Sequence, residues 1–170
     1  MKLKELLFAG TFLMIIFVAK QVLATIPNVQ LVVFLMTLFF LHAKWQGIVA
    51  LLFGYVILDF IAWGYPTLMI PSFAAWITLA FFVKLIGPNE YKLAFFTIPF
   101  TAIHMITYMM HDWFFFGLPI NQSLTYLAAG IPFSIPMVGS SFISILLLLR
   151  PMNKIVTQIR KNFIDLNTTI

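Results

Sequence analysis

The chain has 170 residues, 62% of them hydrophobic and 9% charged, where a soluble globular domain carries about 25% charged residues, and its mean hydropathy is +1.04. Those values exclude a soluble globular domain and describe an all-α integral membrane protein. The formal net charge of +5 is dispersed over the edges of apolar segments, which argues against nucleic-acid binding, and the lack of cysteine excludes a disulfide framework and thiolate chemistry.

In chain order, Met1 to Glu5 gives a basic start and Val22-Leu23-Ala24 imitates a signal-peptide cleavage site. Lys20 and Gln21 are unfavourable there, so the first apolar segment is expected to be retained as a helix over 5-25. Further helices are expected over 29-43, 46-64, 68-86, 92-113 and 122-150, giving one six-helix membrane domain over 1-150, long enough for six spans of ~20 residues. Pro and Gly mark the turns at Ile26-Pro27-Asn28, Gly64-Tyr65-Pro66 and 114-121 on one side, and Gly87-Pro88-Asn89 joins the His42 to Gln46 turn on the other. All basic residues except Lys20 fall at Lys2 and Lys4, Lys44, Lys84 and Lys92, or Arg150, Lys154, Arg160 and Lys161. The positive-inside rule then predicts six transmembrane helices with both termini cytoplasmic. Beyond Pro151, Ile155, Ile159 and Phe163 alternate with Lys154, Gln158, Arg160 and Lys161 at helical spacing, so 151-170 is expected to be an amphipathic cytoplasmic tail resting on the headgroups. There is no internal repeat to support a transporter of two inverted halves.

Ionisable residues within membrane segments are costly and point to function. Here they collect on the expected outer side: Lys20 and Gln21, Asn28 and Gln30, Asp59 with Trp63, then His104, Tyr108, His111 and Asp112, and finally Asn121 and Gln122. His104, Tyr108 and His111 or Asp112 recur every three to four residues, on one helical face that could line a cavity. With Trp76 as an aromatic wall, the substrate-binding candidates are Asn28, Gln30, Asp59, Trp63, Trp76, His104, Tyr108, Asp112 and Asn121. The competing reading has these groups satisfying one another, with Lys20 and Asp59 paired as structural glue. An aromatic belt accounts for Trp113 and Tyr65 but not for Asp59 or His104. Enzyme signatures are weak. Two histidines seven apart lack a compact metal spacing, Gly139-Ser140-Ser141 reads as a helix-packing surface, and no phosphate loop is present. No catalytic residue, metal or cofactor is expected.

Several segments carry a family likeness: Ile26-Pro27-Asn28-Val29-Gln30 leading into an apolar helix, Gly47 opening the third helix, Asp59 near its end, and Tyr126-Leu127-Ala128-Ala129-Gly130-Ile131-Pro132-Phe133 in the last. Together they resemble the substrate-binding S component of energy-coupling factor (ECF) vitamin transporters. The resemblance implies a multi-pass subunit of the bacterial plasma membrane that captures a vitamin or vitamin precursor from outside. Its partners would be a transmembrane coupling protein and two cytoplasmic ATPases, and its pocket would form from the first outer loop and the outer parts of helices 4 to 6. The chain departs from the family in helix 1, where Ala9 and Gly10 replace an Ala-xxx-Ala pair and become the expected partner-docking residues. It departs again in helix 6, where Ser134 and the apolar run Ile135 to Val138 follow Pro-Phe. A rival of another class is a structural protein resembling MreD of the cell-shape machinery, which is of similar size and binds proteins instead of a vitamin.

Overall fold

Helix ends fall where the backbone chemistry demands them. Gly64 and Gly117 adopt left-handed φ angles of 76° and 63°, which any side chain would strain, and the Gly64 N–H closes the preceding helix on Phe60 O. Asn89 caps the helix that follows it, its Oδ1 accepting the Lys92 N–H at 3.0 Å. The computed structural model describes residues 3-26, 31-64 and 66-165. It contains α1 (Leu3–Leu23), α2 (Val32–His42), α3 (Trp45–Trp63), a 3-10 turn (Pro66–Leu68), α4 (Met69–Ile86), α5 (Glu90–Phe116) and α6 (Ile120–Asp165). Among the described residues the structure is entirely helical, and five of its helices are long and apolar enough to cross a membrane.

The remaining helix differs from its expectation. α2 has 11 residues, a rise of about 16 Å against a hydrocarbon core of about 30 Å. Every residue from Val32 to Phe40 is buried. A helix that is apolar all round can face lipid or protein, and α2 faces protein, packed against α1, α4 and α6. Phe39 is its anchor, with ring centroids 5.4 Å from Phe8 and 5.3 Å from Phe12.

α6 also departs from the expected 122-150 helix and separate tail. It is one helix of 46 residues through Pro132, Pro136 and Pro151, about 69 Å long and more than twice the thickness of a hydrocarbon core. Its last turns pack on the bundle. Val156 is buried, and Arg160 stacks over the Phe8 ring at 5.4 Å while donating to His42 O. Ile155 and Ile159, the apolar residues expected at the headgroups, remain exposed on the other side of the helix.

That end of the bundle is the basic end. Lys84 Nζ donates to Ala43 O at 2.6 Å, so Lys84 and Arg160 place two cations on the carbonyls at the negative C-terminus of α2. Lys44 pairs with Glu5 at 3.0 Å and Arg150 with Glu90 at 2.6 Å. α1 packs closely on α3 at the middle of both helices. A Cβ at Gly54 would lie 2.5 Å from Leu13 Cδ2, so only glycine permits this approach without a shift of Leu13. The same pairing sets Lys20 of α1 beside Asp59 of α3.

Candidate functional site

Four helices bring side chains to the end opposite the basic cluster. α1 supplies Lys20 in its last turn; α3 supplies Asp59 and Trp63, one turn apart; α4 supplies Ser72; and α5 supplies Tyr108. These residues, with Val56, Phe60, Leu68 and Met69, line a cavity of about 310 Å³. That volume lies at the lower end of the range for small-molecule pockets, about 300–1,000 Å³.

Lys20 Nζ donates to Asp59 Oδ1, and both side chains remain partly exposed, at 28% and 25%. The ammonium also lies 5.4 Å from the Tyr55 ring centroid and 6.0 Å from that of Trp63, distances suited to cation–π attraction. Tyr108 has the Ser72 hydroxyl as a hydrogen-bond partner. Behind it lies an aromatic wall. The His104 ring packs on Tyr108 at 4.8 Å and meets Trp76 edge-on at 6.0 Å, and Trp76 in turn touches Tyr55 and Phe100 at 5.9 Å and 5.7 Å. Trp76 is only 4% exposed, so it supports the cavity from the core and does not line it.

The structure therefore sorts the expected site residues. Asp59, Trp63 and Tyr108 line the cavity, while His104 and Trp76 stand behind them. Asp112 is elsewhere: its Oδ1 lies 2.9 Å from His111 Nδ1, and neither residue reaches the cavity. His111 is buried against Phe115 and Phe116, with no hydrogen-bond partner at Nε2. Asn121 opens onto a separate shallow groove with Gln122, Thr125 and Tyr126. Asn28 and Gln30 fall outside the described residues. Lys20, expected only as half of a structural pair, lines the cavity, as do Ser72, Phe60 and Met69, which carry no signal in the sequence. The available signal was the complementary charge of Lys20 and Asp59 near the same end of neighbouring helices.

The expected docking pair also separates. Ala9 is 2% exposed and packs in the core, whereas Gly10 is exposed, with no atom within 4 Å of a Cβ placed on it. Of the expected docking pair, then, Ala9 lies in the core and only Gly10 lies on an exposed face. Among the described residues no three His, Cys, Asp or Glu side chains gather as a metal site. The cavity offers one ion pair, two hydroxyls and aromatic faces. Comparisons with family models, curated proteins and solved structures give no match.

Proposed function

We propose that the chain is a membrane solute-binding subunit, the S component of an ECF-type transporter for a vitamin or vitamin precursor. The observation that carries this reading is the cavity beside Lys20, Asp59 and Tyr108, at the end of the bundle away from the basic residues. Under the positive-inside rule the basic end faces the cytoplasm of a bacterial plasma membrane. The cavity then faces outward, both termini lie inside, and α2 is the sixth membrane segment, shielded from lipid by its neighbours. The solute binds without chemical change. Cytoplasmic ATPases, joined through a coupling protein, supply the energy that turns the site inward, and the exposed Gly10 face of α1 is the proposed docking surface.

The test is mass spectrometry of small molecules retained by the purified protein, comparing wild type with Trp63→Ala and Tyr108→Phe. A retained molecule that is lost in both variants supports the reading. A folded wild-type protein that retains nothing, and whose deletion alters cell shape with vitamins supplied in excess, would belong with the cell-shape scaffolds instead. Docking is read separately: Gly10→Trp should abolish assembly and uptake while leaving binding to the isolated chain intact, because close helix approach in lipid requires small residues.

A further inference from the structure

The cavity contains one cation and one anion already hydrogen-bonded to each other, and among the described residues no other Lys, Arg, Asp or Glu lines it. Among the described residues its remaining polar side-chain groups are the hydroxyls of Ser72 and Tyr108 and the indole N–H of Trp63. A solute with a net charge therefore has two options. It can enter with its charge unpaired inside the cavity, or it can take Lys20 or Asp59 as its counter-ion and strand the other, and both options are unfavourable. An uncharged solute escapes both penalties. It can exchange hydrogen bonds with Tyr108 and Ser72 while a flat apolar face lies along Trp63 and Phe60. Size agrees with a small solute, since about 310 Å³ lies at the lower end of the range for small-molecule pockets, about 300–1,000 Å³.

We propose that the solutes accepted by this cavity are uncharged, planar, hydrogen-bonding molecules of one or two rings, and that the Lys20–Asp59 pair rejects net anions and net cations. The inference rests on the reading of the cavity as a solute site. It gives the ion pair a role in selectivity beyond holding α1 to α3: the two charges cancel, and either one exposed alone would change which solutes are accepted.

The test uses matched probes on the full chain at neutral pH, read by equilibrium dialysis and ligand-observed NMR. One triad is benzamide, benzoate and benzylamine; the other is indole-3-acetamide, indole-3-acetate and tryptamine. In wild type the amide of each triad should bind at least tenfold more tightly than its charged counterparts. Asp59→Asn, which leaves the Lys20 charge unopposed, should move the preference toward the carboxylates, and Lys20→Met should move it toward the amines. The double variant Lys20→Met/Asp59→Asn should return to the amides, and it decides the matter with wild type if a single variant fails to fold. A wild-type cavity that binds a charged probe better than the amide, with binding lost in Trp63→Ala, overturns the charge rule and leaves the solute site standing. Failure of every probe to bind folded wild type at millimolar concentration overturns both the charge rule and the proposed function.

Discussion

The two ends of the bundle use charge in opposite ways. At the basic end, Lys84 and Arg160 are committed to backbone carbonyls at the foot of α2, while Lys44 and Arg150 meet Glu5 and Glu90. At the other end a single pair, Lys20 and Asp59, borders an open cavity with an aromatic and hydroxyl lining. Charge bound to backbone closes a helix junction, whereas the mutually neutralised pair at the cavity rim lies beside any solute that enters. Disrupting the first should therefore cost stability alone, and disrupting the second should cost both stability and selectivity.

The largest effect is expected at the pair itself. Removing one member of a buried ion pair costs about 3–5 kcal/mol because the other charge is stranded. Since Lys20 and Asp59 retain about a quarter of their exposure, Asp59→Leu should lose on the order of 2–3 kcal/mol. Thermal unfolding in detergent would measure this, and Lys20→Met/Asp59→Leu should recover most of the loss. If the double variant were no more stable than the single, the pair would not be the source of the penalty.

At the basic end, Lys84→Met removes a charge-assisted hydrogen bond to Ala43 O, a contribution of about 1.5–3 kcal/mol when fully formed. The melting temperature should fall while solute binding stays within twofold of wild type. A large loss of binding here would show that the two ends are coupled. The smallest expected effect is at the α4–α5 junction, where Asn89→Ala deletes a helix N-cap at a cost of about 1 kcal/mol and should not change binding. Denaturant titration beside the same binding assay would separate this local effect from any change at the cavity.

Much of this architecture is legible in the sequence, because turn chemistry is local. Gly64 and the Gly87-Pro88-Asn89 turn end their helices as expected, and the polar residues of α1, α3 and α5 gather toward one end. What the sequence leaves hidden is rotation and company. Lipid and protein interior are equally apolar, so hydropathy could not show that α2 is buried on all sides. Ala9 and Gly10 are adjacent in sequence but about 100° apart around a helix, enough to put one in the core and the other outside. His111 shares a stripe with His104 and Tyr108, yet it lies nearly one turn beyond the cavity and packs on Phe115 and Phe116. Pro151 reads as a terminus by composition, but proline is accommodated within long membrane helices, and α6 continues through it.

The central claim is that a small solute occupies the cavity between Lys20, Asp59, Trp63 and Tyr108. Mass spectrometry of the small molecules carried by freshly purified wild type, set beside Tyr108→Phe and Trp63→Ala of equal melting behaviour, addresses it most directly. The account predicts one recurring molecule of net zero charge at near-stoichiometric level in wild type, and its loss or strong depletion in both variants. The same molecule retained in full by both folded variants would place the site elsewhere and contradict the account.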